Sequence, residues 1–397
     1  MPPPTVPADP QVLIIGAGVA GLTLAQGLRL RSIPFRVFER HPRAHASQGH
    51  RFRVSRAGLS ALNDVLSPPL RDLLRRTAAD THPFAPRYVD VRRLEYAAPT
   101  LAQEGESMPV DRAWIRALMA LGIEDAIEYE KEFAAYEIVG EQVLVRFKDG
   151  SEARGKLLVG ADGIRSRVRA QLQPSRRLLD LERWVLWGRT PLTKELKKSL
   201  PPDLLSWCMY VDPEANVQVV VEPMIWSTSA SRQSEARLPD FSDYVYWVVC
   251  TATSQFSESP PRTAEVKKQF LERATETWHP DLKQLFRAAD HNLSASVAVL
   301  SSKPDIELPF TDQNGRVTLV GDAAHSMSPM GGSGGDTAVR NAADLARTLA
   351  EEGVTQESVA GFEARMAALA RERIEHSFRG GQKFWRGKEW TEYTEAH

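Results

Sequence analysis

The feature that most constrains this chain is a glycine motif between a short apolar run and an amphipathic stretch. Gly16, Gly18 and Gly21 follow the run 12–15 as G-x-G-x-x-G, and a helical pattern continues over residues 19–31. Such glycines permit a tight turn and let backbone N–H groups approach a pyrophosphate at the positive end of a helix. The segment therefore predicts a buried parallel strand that leads into a nucleotide-binding helix.

A second strand and an acidic residue extend this beginning into a βαβ unit. Residues 35–38 are typical of a short strand, and Glu39 ends it about 20 residues after the glycines, where a carboxylate accepts hydrogen bonds from an adenosine ribose. A glycine loop that merely packs a helix on a sheet is the alternative interpretation. Strand, helix and acid together favour a dinucleotide site, without distinguishing NAD from FAD.

Length, charge and cysteine content narrow the class of protein. The 397 residues suffice for two domains or for one large domain with an insertion. The 50 Lys and Arg residues balance 51 Asp and Glu residues, which indicates neither nucleic acid nor an anionic membrane as a partner. Cys208 and Cys250 show no metal-ligand spacing, so we expect no metal site, no disulfide framework and a cytoplasmic location. No apolar run is long enough for a membrane anchor.

The remaining periodicity predicts helices that flank a β-rich middle. The predicted helices cover most of 51–76, 110–121 with Asp111 as N-cap, about 263–278, about 334–351 and about 356–378. Strands are predicted at 143–147, 156–159 and 317–320, with a turn at Asp149-Gly150. The stretch 181–292 is rich in aromatic and β-branched residues, which favours antiparallel strands around the 263–278 helix.

A second glycine-rich motif decides between NAD and FAD. Gly321-Asp322-Ala323-Ala324-His325 follows an apolar run, and Pro329 and the glycines of 331–335 come next. An aspartate at the end of a strand can bind polyol hydroxyls. A glycine-rich helix start offers N–H donors and partial positive charge to an anionic ring. A reduced flavin carries such a charge and a nicotinamide does not, so the motif favours FAD; Asp322 as an ordinary cap is the alternative.

Three blocks of sequence together resemble one family, the flavoprotein monooxygenases of the para-hydroxybenzoate hydroxylase type (class A), especially their fungal secondary-metabolism members. The blocks span residues 12 to about 350 in the order and spacing of that family. They are Gly16-Ala17-Gly18-Val19-Ala20-Gly21 with Glu39-Arg40, then Gly160-Ala161-Asp162-Gly163-Ile164-Arg165-Ser166, then Gly321-Asp322-Ala323-Ala324-His325 with Pro329 and Gly332-Ser333-Gly334.

The resemblance implies a role for each residue that matches the family's pattern. Glu39 would hold the adenosine ribose, Arg40 would flank the adenine, and Arg112 would reach the FAD diphosphate. Asp162 would lie near the pyrophosphate and serve both FAD and NADPH use, and Asp322 would bind the ribityl chain or diphosphate. The implied cofactor-binding set is Gly16, Gly18, Ala20, Gly21, Glu39, Arg40, Arg112, Asp162, Gly321, Asp322, Pro329, Gly332, Ser333, Gly334 and Gly335, the last five beside the isoalloxazine ring.

The chain departs from the family in the helix that would face the flavin. The family usually has asparagine where Asp336 stands and aspartate where Asn341 stands, so the two side-chain types are exchanged. It also usually has glutamine, or another residue, where Ser333 stands. These departures concern the hydrogen bonds of that helix and leave the prediction of flavin binding in place.

The candidate catalytic residues are Arg189, His50 and Arg53. Arg189 lies in an aromatic strand that the family uses as a wall of its substrate cavity, where a cation could orient an anionic substrate or donate a proton. The alternative is a sheet arginine stacked on a tryptophan. Arg53 lies in a stretch that the family places beside flavin and substrate, although it could equally be a surface arginine. His325 is more simply explained by a structural hydrogen bond than as a base.

The resemblance implies an FAD-dependent monooxygenase that uses NADPH or NADH and O2. A flavin C4a-hydroperoxide would pass one oxygen to an electron-rich aromatic, indole or enol substrate. NAD(P)H would visit the flavin transiently, because no second G-x-G-x-x-G marks a separate domain for it. A Baeyer–Villiger-type oxygenase remains possible, as does a flavin-dependent halogenase, although the Trp-x-Trp-x-Ile-Pro signature of halogenases is absent. A non-catalytic flavin-binding protein or an NAD-linked dehydrogenase would be another class.

The expected fold is therefore α/β: a Rossmann-like FAD-binding domain of the GR2 type, an inserted β-rich substrate domain and C-terminal helices. We assign 1–80, 108–180 and 290–397 to the FAD-binding domain, and 81–107 and 181–289 to the substrate-binding sheet. The sequence names neither the substrate nor the oligomeric state.

Overall fold

The computed structural model describes residues 10–44, 51–81, 88–96, 107–254, 260–307 and 315–396. The strands in these ranges are, in chain order, β1 (Val12–Ile15), β2 (Phe35–Phe38), β3 (Arg51–Val54), β4 (Tyr88–Asp90), β5 (Met108–Asp111), β6 (Ile127–Glu128), β7 (Phe133–Val139), β8 (Gln142–Phe147), β9 (Glu152–Gly155), β10 (Leu157–Gly160), β11 (Leu179–Pro191), β12 (Cys208–Asp212), β13 (Val217–Met224), β14 (Tyr244–Ala252), β15 (Ala295–Ser301) and β16 (Val317–Leu319).

The helices in the same ranges include short turns as well as long elements. They are α1 (Val19–Leu30), α2 (Arg56–Val65), α3 (Pro68–Thr77), α4 (Arg112–Ala120), α5 (Arg167–Leu172), α6 (Lys194–Ser199), α7 (Ala230–Gln233), α8 (Ala264–Ala274), α9 (Pro280–Arg287), α10 (Asp322–His325), α11 (Gly334–Glu352) and α12 (Gln356–Trp385). Short 3-10 helices cover Glu124–Ala126, Pro202–Leu205, Pro329–Gly331 and Trp390–Glu392.

The core of the cofactor region is a five-stranded parallel sheet in the order β16-β10-β1-β2-β6. β1 and β10 are buried at every residue, as continuous apolar runs in the middle of a covered parallel sheet should be. α1 joins β1 to β2 and packs against α11, where an added Cβ on Gly27 would lie 2.5 Å from the Cβ of Ala346. The predicted βαβ unit and α/β fold class are confirmed.

A six-stranded sheet, in the order β15-β11-β14-β13-β12-β4, forms a second layer. All its pairs are antiparallel except β12 with β4. Its two faces alternate along β14: Tyr244 and Tyr246 belong to the core shared with the parallel sheet, whereas Val245 and Trp247 pack with residues of α8 and α9. This period of two presents the first pair to the cofactor region. The predicted domain boundaries stay a prediction.

Several local elements differ from the sequence-based expectation. Residues 51–54 form β3, which pairs with β5 as a two-stranded ribbon, and only the rest of 51–76 is helical. The Asp149-Gly150 turn joins β8 to β9 in a separate three-stranded sheet before the chain enters β10. α9 follows α8 where the pattern predicted one helix. In the parts of the chain that the structure describes, no helix is long and apolar enough to cross a bilayer.

Candidate active site

Four neighbouring strands of the parallel sheet end at residues that the sequence assigns to a cofactor. β2 leads into Glu39, β1 into Gly16, β10 into Asp162, and β16 into Gly321. Carboxyl ends of parallel strands lie at the same edge of a sheet, and ligands of open α/β sheets bind there. The fold therefore brings residues from all three sequence blocks to one edge.

The glycines of these blocks are required by close backbone approach. Gly16 has a φ of +110°, and an added Cβ there would lie 2.4 Å from the carbonyl oxygen of Ala161. A Cβ on Gly21 would lie 2.0 Å from the Gly16 carbonyl oxygen, and one on Gly321 would lie 2.8 Å from the Cβ of Ala20. The three blocks therefore pack directly against one another.

Glu39 is fixed to the glycine loop. Its carboxylate accepts hydrogen bonds from the backbone N–H groups of Ala17, at 2.9 Å, and His41, at 3.0 Å. The residue is buried. Arg40 is exposed and its Nε lies 3.1 Å from Nε2 of His41. Glu39 thus shapes the loop and holds a carboxylate at the strand end, and its contact with an adenosine ribose stays a prediction.

Asp162 caps α5. Its carboxylate accepts hydrogen bonds from the Ser166 hydroxyl and from the backbone N–H groups of Arg167, at 2.7 Å, and Val168, at 3.3 Å. Its Cα lies 3.1 Å from the Cβ position of Gly16. The backbone of Asp162 is therefore beside the glycine loop, while its side chain holds the following helix in place.

The carboxylate of Asp322, unlike that of Asp162, accepts no hydrogen bond from the described residues, and it is exposed. The turn that carries it is held from behind: Arg169 donates to the carbonyl of Ala323 at 3.0 Å, and Arg176 donates to the carbonyl of Ala324. A fixed backbone with an exposed acid at its start is suited to bind ligand hydroxyls.

His325, at the end of the same turn, is a buried neutral residue. Its Nε2 lies 2.9 Å from Nδ2 of Asn341 on α11. Burial lowers the pKa of His325 to about 4, against a smaller opposing effect from Asp322. His325 therefore serves as a structural hydrogen-bonding residue, consistent with the sequence-based interpretation. Asn341, which stands where the family usually has aspartate, is the partner in this hydrogen bond.

The chain approaches α11 through a tight turn. Pro329 begins a 3-10 turn, and Gly332 follows with a φ of +61° and open space at its Cβ position. Ser333 is the N-cap residue of α11, but its hydroxyl lies 3.7 Å from Sδ of Met327 and no side chain in the described ranges caps the first turn. The N-terminal end of a 19-residue helix is thus left without an internal acceptor.

The first residues of α11 contact the β3–β5 ribbon. A Cβ on Gly335 would lie 2.4 Å from the ring of Phe52 on β3, whereas one on Gly334 would meet only Met327, at 3.6 Å. The guanidinium of Arg112 lies 5.5 Å from the centre of the Phe52 ring. Phe52 therefore joins the helix start to the predicted diphosphate-binding arginine.

These residues fit FAD. The N-terminus of α1, where Gly18 is the N-cap and its Cβ position opens on free space, can accept a pyrophosphate. Asp322 and Glu39 would supply carboxylates for ribityl and ribose hydroxyls. The N-terminus of α11 would supply N–H groups and partial positive charge for an anionic ring edge. These groups match the ribose, diphosphate, ribityl chain and ring of FAD in turn.

The face of the six-stranded sheet that packs in the shared core carries aromatic residues and Arg189. The guanidinium of Arg189 on β11 lies 5.5 Å from the ring centre of Tyr244, whose hydroxyl donates to Asp111 at 2.7 Å. The other oxygen of Asp111 accepts from the N–H of Trp114 and caps α4 as predicted. Burial raises the pKa of Tyr244 well above its usual range, so the hydroxyl stays protonated and keeps donating. Within the ranges that the structure describes, no carboxylate forms an ion pair with Arg189.

The side chain of Arg53 binds Glu222 and Ser107. Its Nη1 pairs with Glu222 on β13, while its Nε and Nη2 donate to the hydroxyl and carbonyl oxygens of Ser107, at 3.0 and 2.8 Å. Arg51 pairs with the same carboxylate at 2.6 Å and lies 4.6 Å from the ring centre of Tyr246. Burial lowers the pKa of Arg53, opposed by Glu222. These contacts favour a structural role for Arg53, which ties the ribbon to the six-stranded sheet. His50 lies outside the described residues.

Some residues that shape the site carry no sequence signal of their own. Arg116 donates from Nε to the carbonyl oxygen of Ala17, at 3.1 Å, and so supports the glycine loop. Arg169 ties the second block to the third, and Glu222 joins the ribbon to the sheet. A lone arginine or glutamate predicts no partner in a sequence. Only the placement of Arg116 one helical turn after Arg112 could have indicated that both side chains lie on the same face of α4.

Comparison with known proteins agrees with this geometry. A family model described as "FAD binding domain" matches residues 116–361, and one described as "NAD(P)-binding Rossmann-like domain" matches residues 14–77. A candidate FAD-containing monooxygenase from Photorhabdus luminescens subsp. laumondii superposes with a TM-score of 0.81 at 26% identity, covering 95% of this chain and 99% of that one. HpxO of Klebsiella pneumoniae, complexed with FAD and uric acid, shares the fold, with a TM-score of 0.75 at 20% identity over 96% of this chain and 90% of that one.

Sequence relatives are longer than this chain or of similar length. The dual O-methyltransferase/FAD-dependent monooxygenase elcB of Phaeosphaeria nodorum is 33% identical over 383 residues, which cover 87% of this chain and 41% of that protein. CTB3 of Cercospora beticola, also a dual O-methyltransferase/FAD-dependent monooxygenase, is 32% identical over 94% of this chain and 46% of its own length. The chain thus spans less than half of these two relatives. The aurachin C monooxygenase/isomerase of Stigmatella aurantiaca is 28% identical, with 94% of this chain and 88% of that protein covered.

Proposed function

The chain belongs to the family of FAD binding domains, and on that premise we propose that it is an FAD-dependent monooxygenase. It would use NAD(P)H and O2 to insert one oxygen atom into an electron-rich aromatic, indole or enol substrate. Both fungal relatives named above, described as dual O-methyltransferase/FAD-dependent monooxygenases, support this reaction class. A place in fungal secondary metabolism is part of the same proposal, and this chain covers under half of each of these relatives.

The observation that carries the proposal is the position of the aromatic sheet face relative to the start of α11. Phe52 contacts Gly335 on one side, and its strand neighbour Arg51 lies over Tyr246 of the six-stranded sheet. Cofactor-binding groups and an aromatic wall therefore meet across one short ribbon. A flavoprotein that only stored or carried FAD would need the cofactor-binding groups but not the aromatic sheet face.

In this proposal, the residues of the chain bind and orient while the cofactor supplies the oxygen chemistry. Glu39 and Asp322 would hold the ribose and ribityl hydroxyls, and the ends of α1 and α11 would hold the diphosphate and the ring edge. When bound, FAD reduced by NAD(P)H supplies activation of O2 for transfer of one oxygen atom, with the second leaving as water. Arg189 would orient an acceptor oxygen of the substrate over the ring.

The test is a spectrum followed by a coupled assay. The purified protein should show flavin absorbance, and an accepted aromatic substrate should stimulate NADPH consumption and yield a product heavier by one oxygen atom. Products that carry a halogen would support the halogenase instead, and ring expansion or ester formation would support Baeyer–Villiger insertion. Bound flavin without stimulated NADPH consumption across a broad panel of phenols, indoles and enols would contradict the proposal in favour of a non-catalytic flavoprotein.

A further inference from the structure

The start of α11 contains two groups that could cap it, and both are turned away. Ser333, the N-cap residue, directs its hydroxyl to Met327. Asp336 lies in the first turn, where an aspartate ordinarily interacts with the free N–H groups and the positive end of its own helix. Its carboxylate instead leaves the helix for a neighbouring element.

Asp336 is held by the start of α2. Its Oδ1 accepts two hydrogen bonds from Ser55, one from the backbone N–H and one from the hydroxyl, each 2.8 Å long. The Ser55 hydroxyl also accepts from the N–H of Gly58, at 3.2 Å, so it caps α2 at the same time. An added Cβ on Gly58 would lie 2.2 Å from Oδ1 of Asp336. The buried carboxylate therefore fills a notch that only glycine leaves open.

From this arrangement we propose that Ser55 is a positioning residue for the flavin site: it diverts the carboxylate of Asp336 from the N-terminus of α11. The diversion leaves the N–H groups of that terminus open for the anionic edge of the reduced flavin ring. The inference rests on the flavin position proposed above. It explains how the chain carries an aspartate beside the ring without placing a competing negative charge on the donors that the ring needs.

The alternatives to Ser55 as a partner are weak. Arg340, one turn further along α11, has its Nη1 3.9 Å from Oδ2 of Asp336, at the limit of an ion pair. It is partly exposed, so its attraction for the carboxylate is screened by solvent. A carboxylate released from Ser55 would therefore move to the nearby helix N–H groups, where it would compete with the flavin.

The experiment compares Ser55→Ala and Ser55→Ala/Asp336→Asn with the wild-type protein in two measurements. FAD affinity is measured by titrating the apo-protein, and the flavin midpoint potential by anaerobic chemical reduction against a reference dye. Ser55→Ala removes the hydrogen bond of the hydroxyl and keeps that of the backbone N–H, so the carboxylate is held by one bond in place of two. The loosened carboxylate should compete with the ring, weaken FAD binding about three- to tenfold and make the potential more negative. The double variant should return to within about twofold of wild type, because a neutral amide competes less for the helix N–H groups and does not repel the anionic reduced ring.

A second variant that displaces the Asp336 carboxylate, and a matched control, separate competition with the flavin from the loss of a helix cap. Gly58→Ala places a Cβ 2.2 Å from Oδ1 of Asp336 and 2.5 Å from Cγ1 of Val54, so it should displace the carboxylate as Ser55→Ala does. Gly58→Ala/Asp336→Ala should give partial relief, because the contact with Val54 remains. Thr263→Ala removes the cap of α8, which packs on the opposite face of the six-stranded sheet, and should change neither measurement. The proposal is overturned if both single variants keep wild-type affinity and potential, or if neither double variant improves on its single variant. Neither measurement uses NADPH or a substrate, so failure of the proposed monooxygenase reaction would be seen separately.

Discussion

At the scale of single residues, Glu39 and Asp322 are expected to contribute to FAD binding in different ways. Replacing either side chain with alanine would remove its charge-assisted hydrogen bonds to the cofactor. This loss is worth roughly 1.5–3 kcal/mol of binding free energy, or about ten- to a hundredfold in FAD affinity. Glu39→Ala should also destabilise the apo-protein, since two backbone N–H groups lose their acceptor. Asp322→Ala should leave the apo-protein's stability unchanged, because its carboxylate is exposed.

Fluorescence titration of each apo-protein with FAD, together with denaturant unfolding, measures both effects. Full flavin content with unchanged affinity in either variant would show that the residue has been assigned wrongly. Equal losses of apo-protein stability in the two variants would contradict the distinction drawn from their contacts.

Arg189 is the residue on which substrate orientation is expected to depend. Arg189→Leu should leave FAD content and basal NADPH oxidation near wild type, while product formation falls and hydrogen peroxide release rises. The reason is that activated oxygen would meet no well-placed acceptor. The ratio of product to NADPH consumed is the measurement, with Arg189→Lys as a variant that keeps the charge and should retain part of the coupling. Unchanged coupling in Arg189→Leu would make Arg189 a structural residue stacked on Tyr244.

At the scale of secondary structure, the contact between α11 and the ribbon sets a limit on residue size. Gly335→Ala places a methyl group against the buried ring of Phe52, so we expect the protein to lose about 1–3 kcal/mol of stability and to bind FAD more weakly. Gly361→Ala in α12 is the matched control. A Cβ there meets only the guanidinium of Arg365, at 3.6 Å, so the higher helix propensity of alanine should raise stability by up to about 1 kcal/mol.

Thermal or denaturant unfolding of the two glycine variants compares steric and conformational effects on helices of one protein. A stabilised Gly335→Ala variant would mean that Phe52 moves freely and that the ribbon does not press on α11.

At the scale of the whole molecule, FAD should stabilise the fold by mass action, because only the native state assembles the strand ends and helix termini into a site. Free FAD at about 100 times its dissociation constant should add roughly 2.7 kcal/mol to the free energy of unfolding. Scanning calorimetry of the apo-protein at rising FAD concentrations measures this gain. A melting temperature that ignores FAD would contradict the assembled site, and Asp322→Ala should need proportionately more FAD for the same shift.

The amino-acid sequence by itself determined the beginning of the fold and the identity of the cofactor, while the cofactor-binding residues that it names stay predictions. The β1–α1–β2 unit follows from local periodicity and glycine placement, and Asp111 as a cap follows from the residues beside it. Such features depend on residues a few positions apart, so they can be predicted from a single sequence. The family resemblance, and with it FAD, came from motifs of the same local kind.

Only the tertiary structure decided how these elements meet. The hydrogen bonds of Asp336 join residues 281 positions apart, and the Arg53–Glu222 ion pair joins residues 169 positions apart. No local pattern marks such partners, since any of the chain's many carboxylates could have met any arginine. The engagement of Asp162 with α5 and the exposure of Asp322 were likewise invisible, although both are aspartates beside glycines. Local sequence determines which residues can bind a cofactor; long-range packing decides which of their polar groups remain free to do so.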